Sequence, residues 1–225
     1  MNKVRIIIAM LISLLPASSL RCMFYRIFLG YSIRCSKIGF ATVIATRRAT
    51  LDNCSIGRFN RFLGPMQISI GAGADIESHN VFDCGEWTAD PKHIDHYDRN
   101  LIIGADTRIT NHHFFDVAGK FVLGQGSWIA GRGSQFWTHG VNVADRNISI
   151  GERCYIGSAV RFAPGSAVSD NVLVGLGSVV TRRIGGCDVL VAGFPAQVIK
   201  EGRSWQPAMK IREPPASAGT TNSDT

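Results

Sequence analysis

The chain has 225 residues, enough for one well-filled domain, with 45% hydrophobic side chains and 24 glycines, a share that points to many tight turns. Residues 1–51 hold eight basic side chains (Lys3, Arg5, Arg21, Arg26, Arg34, Lys37, Arg47, Arg48) and no acid, so most of the net charge of +7 sits in this stretch. A basic start on a nearly neutral body argues against a nucleic-acid surface spread over the fold and fits a segment that lies against an anionic membrane face.

In chain order, the first element is the apolar run from Ile6 to Leu15, between Arg5 and Pro16. It has ten residues, too few to cross a hydrocarbon core that needs about 20. "PASS" offers a loose signal-cleavage reading. The next stretch, "LRCMFYRIFLGYSIR", is again apolar and basic and favours a continuing helical, membrane-facing segment over residues 1–37. The six cysteines form no CxxC pair and no compact framework, the pattern of reduced thiols in a cytosolic protein.

From residue 38 a period of six takes over. Ile38, Ile44, Ile56, Phe62, Ile70, Ile76, Phe82, Ile103, Ile109, Phe115, Leu123 and Ile129 fall on it, and Ile150, Ile156, Phe162, Val168, Val174 and Val180 continue it without a break. Most of these anchors are followed by a small residue. Neither the helical period of 3.6 nor the strand period of 2 fits. Hexads are the signature of a parallel β-helix, in which three short strands make one triangular coil and coils stack at about 4.8 Å. Roughly seven coils are expected on that repeat length. Periodicity leaves the handedness open, and the general crossover rule favours right-handed. "EPPASAGTTNSDT" is small, polar and Pro-rich, so residues 201–225 are expected to be a flexible tail.

The stretch "ISIGERCYIGSAVRFAPGSAVSDNVLVGLGSVVTRRIGGCDVLVAGFPAQVIK" closely resembles the C-terminal half of hexapeptide-repeat acyltransferases, and "GFPAQVIK" resembles their closing turn. The resemblance spans residues 38–200. It implies an all-β, left-handed parallel β-helix and a homotrimer. The implied activity is O-acetyl transfer from acetyl-CoA to a sugar hydroxyl, as in surface polysaccharide biosynthesis. The implied setting is cytoplasmic, at the inner face of the membrane if the acceptor is lipid-linked.

The beat fails at "GSQFWTHGVNVADRNISIG", and His139 stands in the gap. The resembling enzymes interrupt the coil there to place a catalytic histidine, which implies that His139 is the general base. Imidazole suits that role, because a sugar hydroxyl must lose its proton as it attacks a thioester. Asp116, Asp145 and Glu152 are candidates for orienting the ring. Trp137 is a candidate aromatic wall for the sugar. One coil earlier, Asn111, His112 and His113 are candidate acceptor contacts. The donor positions carried over from the resemblance are Gly157, Ser158, Leu176, Gly177 and Thr181 for the pantetheine arm, with Arg182, Arg183 and Lys200 for the phosphates.

"DCGEWTADPKHIDHYDRN" carries His93, Asp95, His96 and Asp98 at spacings that match no recognised metal motif, so it is read as a polar loop and no metal is expected. A zinc enzyme of the γ-carbonic-anhydrase kind would need a histidine pair five residues apart, which this sequence lacks. A serine or amino-sugar acceptor would suit the same repeat, and so would a catalytically silent β-helix scaffold.

Overall fold

The computed structural model describes residues 3–203 and Trp205. The expected flexible tail therefore lies largely outside the described residues. Helices α1 (Lys3–Ser13) and α2 (Ser18–Leu29) open the chain. Pro16 separates them, since its ring and missing N–H stop a helix from continuing. Gly30 ends α2 in the left-handed conformation, φ 68°, with its N–H returned to the carbonyl of Arg26.

Three faces of short parallel strands follow, and the hexad anchors become three vertical ladders. On face one, Ile33, Leu51, Ile70, Ile103, Leu123, Ile150, Val168 and Ile184 pair in register. On face two the ladder is Ile38, Ile56, Ile76, Ile109, Ile129, Ile156, Val174 and Val191. On face three it is Ile44, Phe62, Phe82, Phe115, Phe136, Phe162 and Val180. This is the expected fold class, a left-handed parallel β-helix.

Every anchor read from the six-residue beat is buried, with no more than 4% of its surface exposed. Burying such a side chain contributes roughly 1.5–3 kcal/mol. Face three adds a column of stacked phenylalanine rings, with centroids 4.3 Å apart at Phe62–Phe82 and 4.7 Å at Phe115–Phe136.

The two ends of the stack are closed differently. At the C-terminal end, Leu190–Gly193 turns back on Ala196–Lys200 as an antiparallel hairpin. At the other end, α1 and α2 lie on the first coil, and side chains from them and from Tyr31, just after α2, take hydrogen bonds that a preceding strand would make. Tyr25 Oη accepts the N–H of Ile44 at 3.1 Å and lies 3.0 Å from the carbonyl of Thr42. Tyr31 Oη accepts the N–H of Thr46 at 3.0 Å. Arg21 Nε donates to the carbonyl of Ile38 at 2.9 Å, and Arg5 Nε donates to that of Thr46 at 2.9 Å.

Each coil has three corners. Two excursions leave the corner between faces three and one. Residues 84–99 hold two short 3-10 turns, Glu86–Ala89 and Ile94–His96, and residues 137–147 interrupt the beat one full coil beyond the level of Phe115. Because equivalent corners stack, both excursions rise over the same edge, where the intervening coil passes tightly through Val117, Ala118 and Gly119.

Candidate active site

Asp116 ends the strand Phe114–Asp116 on face three and is 5% exposed. Its carboxylate is held from several sides. Oδ2 accepts the backbone N–H of Thr138 at 2.8 Å and lies 3.0 Å from the Thr138 hydroxyl, while Oδ1 accepts the N–H of Ala118 at 3.3 Å. The Thr138 hydroxyl in turn accepts the N–H of Gly119 at 2.8 Å. On this fixed carboxylate rests His139, its Nδ1 2.7 Å from Asp116 Oδ2. The ionised carboxylate only accepts, so Nδ1 carries the hydrogen and Nε2 presents its lone pair. Among the described residues Nε2 takes part in no hydrogen bond, and 43% of the His139 side chain is open to solvent.

Of the three candidates for the orienting carboxylate, the structure selects Asp116. Asp145 is bonded to Arg183 at 2.8 Å, which holds its carboxyl below the ordinary range, and Glu152 pairs with Arg153 at 3.1 Å.

Aromatic rings surround the imidazole. Trp137, itself against Phe114 at 4.8 Å, lies 6.4 Å from His139. Trp87 reaches over from the other excursion to 5.6 Å, edge on. Tyr97 packs on Trp87 at 4.9 Å and lies beneath the guanidinium of Arg146 at 4.8 Å. Trp87, Tyr97 and Arg146 were not singled out by sequence reasoning. The available signal was that both breaks in the beat fall after a face-three anchor, Phe82 or Phe136, and so at one corner.

The stretch with His93, Asp95, His96 and Asp98 is therefore a wall of the site. Among the described residues no three histidine, cysteine or acidic side chains gather as metal ligands. Buried Cys84, bonded to Thr88, has its thiol pushed up to about 12 by burial, so at neutral pH it is a thiol and no nucleophile.

The candidate acceptor contacts Asn111, His112 and His113 do not join His139 within one chain. They follow the face-two anchor Ile109 and sit at the corner between faces two and three, whereas His139 follows the face-three anchor Phe136. Being one coil away fixes the level, but the corner is set by position within the coil.

His113 is corrected most firmly. It is 1% exposed, accepts the N–H of Ser134 on Nδ1 at 3.1 Å and meets the Thr110 hydroxyl through Nε2 at 3.0 Å. Both nitrogens are used by the neutral ring. Burial, and secondarily His112, push its pKa down to about 4. Asn111 is also committed, accepting the N–H of Ser78 at 2.9 Å and donating to Glu77. His112 is exposed and stacks on His79 at 4.7 Å.

The donor positions divide in the same way. Gly157 and Ser158 stack beneath Leu176 and Gly177 at the corner between faces two and three, with the N–H of Gly177 donated to the carbonyl of Ser158 at 2.9 Å. Leu176 is 80% exposed, so its side chain points outward and takes no part in core packing. Thr181 and Arg182 sit at the next corner, and Lys200 ends the closing hairpin. Arg183 follows Arg182, on face one, and with Asp170 lines a groove of about 340 Å³ there that includes none of the other seven donor positions.

No family model matches the chain. Among curated proteins it is similar to the galactoside O-acetyltransferase of Escherichia coli K12, 44% identical over 54 residues, 24% of this chain and 26% of the relative. The chain thus spans about a quarter of the length of the curated relative it matches. The chain has the fold and the repeat of the hexapeptide-repeat acyltransferases.

Among solved structures, this hexapeptide-repeat chain is similar to a maltose O-acetyltransferase from Clostridium difficile 630, at 26% identity and a TM-score of 0.47, covering 59% of this chain and 68% of the other. It is also similar to GDP-perosamine N-acetyl transferase from Caulobacter crescentus, solved with CoA and GDP-perosamine, at 19% identity and a TM-score of 0.46, covering 83% and 67%.

Proposed function

We propose that the chain moves an acetyl group from acetyl-CoA to a sugar hydroxyl, with His139 as general base. The observation that carries this reading is the 2.7 Å bond from His139 Nδ1 to the buried, multiply bonded carboxylate of Asp116. It fixes the tautomer and turns a basic nitrogen outward beside two exposed tryptophans, Trp87 and Trp137. Nε2 takes the hydroxyl proton as the sugar oxygen bonds to the thioester carbon. The tetrahedral intermediate then collapses, the carbon–sulfur bond breaks, and the imidazolium returns the proton to the departing CoA thiolate. Asp116 stabilises the imidazolium through the same hydrogen bond. No acyl-cysteine is needed, in keeping with the neutral thiol of Cys84.

Gly157, Ser158, Leu176, Gly177 and Thr181 are proposed to line the pantetheine path, with Arg182 and Lys200 receiving phosphate. Since these positions occupy two corners flanking face three, a homotrimer is proposed, in which a corner of one copy faces the other corner of the next. That arrangement would also bring His112 toward a neighbour's His139. A cytoplasmic setting is supported by six free cysteines, and the open, aromatic-walled site suits a sugar of a surface polysaccharide.

The test is CoA release from acetyl-CoA across a panel of free and lipid-linked sugars, with wild type and His139→Ala side by side. The variant should lose at least about 100-fold in kcat while its melting temperature stays within a few degrees. Equal turnover by the two would overturn the mechanism, and no acceptor-dependent release from any sugar would leave a β-helix scaffold as the better reading.

A further inference from the structure

The two N-terminal helices have a second face that the β-helix does not use. Ala9, Ile12, Tyr25 and Leu29 are buried on the first coil. On the outer side Ile7, Leu11, Leu14, Ile27 and Phe28 are each more than half exposed. Between the helices runs an apolar groove of about 320 Å³ lined by Ile8, Leu11, Ile12, Leu15, Phe24 and Phe28. An exposed apolar patch of this kind marks an interaction site.

Charge identifies what it meets. Of the eight cations in residues 1–51, Arg5 and Arg21 are spent on first-coil carbonyls. Lys3, Arg26, Arg34, Lys37, Arg47 and Arg48 are exposed. Among the described residues only Arg34 meets an acid, Asp52 at 3.9 Å. A second copy bound through the same patch would set this predominantly cationic surface against itself. The last thirteen residues, "EPPASAGTTNSDT", have no aliphatic side chain larger than proline to fill the groove, and Trp205 before them packs elsewhere, on Tyr155 at 5.5 Å. No helix among the described residues is long and apolar enough to cross a membrane.

We propose that the outer face of α1 and α2 is a docking surface for an anionic lipid bilayer, lying in the interface with its apolar side chains among the acyl chains and its cations at the headgroups. The β-helix then stands on the bilayer through its first coil. With coils about 4.8 Å apart, the Asp116–His139 pair is held roughly 15–20 Å from the helices.

The experiment is flotation of the full chain with large unilamellar vesicles of phosphatidylcholine alone or mixed with phosphatidylglycerol. The chain should float with the anionic vesicles at least tenfold more tightly than with the neutral ones, and less tightly in high salt. Leu11→Glu with Phe28→Glu replaces exposed side chains, so the melting temperature should hold while vesicle affinity falls at least tenfold. Arg47→Glu with Arg48→Glu should lower it by roughly fivefold or more per position.

No flotation by wild type, equal flotation with both vesicle types, or full binding by the Leu11/Phe28 variant would overturn the proposal. Self-association in the ultracentrifuge that disappears in that variant, without vesicle binding, would assign the face to a second copy instead. Vesicle binding requires no turnover, so its outcome is independent of the transferase reading.

Discussion

The stacked phenylalanine face is bounded by two corners, each carrying histidines, and their construction differs. At the corner between faces two and three the chain turns tightly at every coil, and His113 is drawn inside, both ring nitrogens satisfied by Ser134 and Thr110. At the corner between faces three and one, two excursions open the turn. His139 there stays outside, with one nitrogen anchored on Asp116 and the other turned to solvent. A fully satisfied imidazole contributes stability, whereas a half-satisfied one on a rigid support is available for proton transfer. Residue type is the same in the two places, and the unspent nitrogen makes the difference.

The comparison breaks most visibly at the support. Asp116→Asn keeps the size of the side chain but removes the charge that selects the Nδ1–H tautomer. Steady-state kinetics should show kcat reduced by about 100-fold or more with little change in KM for either substrate. A variant that keeps wild-type kcat would mean that Asp116 merely braces Thr138 and the loop.

His113 should behave in the opposite sense. Truncating it with His113→Ala leaves a cavity and an unpaired Ser134 amide, so denaturant unfolding should record a loss of about 2–4 kcal/mol while kcat per folded molecule is retained.

The same ring predicts a pH dependence of stability. The unfolded chain takes up its proton near the ordinary 6.5, but the native ring resists until about 4. Between those values the unfolded state binds more protons, so stability present above about 6.5 is lost as pH falls, by on the order of 3 kcal/mol at the bottom of the window. Denaturant midpoints measured from pH 7 to 4 should show that slope in the wild type and a flatter one in His113→Gln. Parallel slopes would mean that the ring is not a buried neutral group.

The smallest effect is expected at the wall. Trp87→Ala should raise KM for the sugar by about three- to tenfold, the scale of a single aromatic contact, and leave KM for acetyl-CoA alone. A shift in the acetyl-CoA KM instead would move Trp87 to the donor side.

Much of this was legible in the hexads because each anchor buries one side chain per strand, and burial is what a short apolar beat records. Where the beat slips, the signal weakens. From Ile44 to Leu51 the chain runs as one continuous strand, Val43–Asp52, with a register shift between Thr46 and Arg48, so Leu51 falls off the count of six although it is a face-one anchor. Ile33 was hidden for a related reason, lying in an apolar stretch that reads as helix.

The choice of Asp116 among three carboxylates depended on a bond across a coil, which no local spacing encodes. That Asn111, His112 and His113 stand at a different corner from His139 is, by contrast, written in the beat. Counting hexads assigns Ile109 to face two and Phe136 to face three, and hence the two histidine groups to different corners.

The tyrosine and arginine side chains that occupy the backbone groups of the first coil have a consequence for the life of the folded chain. A β-helix with a bare terminal rung offers the next molecule a ready template, and strands can add to it without end. Here that template is already filled from within by Tyr25, Tyr31, Arg5 and Arg21, so the stack terminates itself. Loss of the two helices would bare those backbone groups at this one end of the stack, while the hairpin still closes the other.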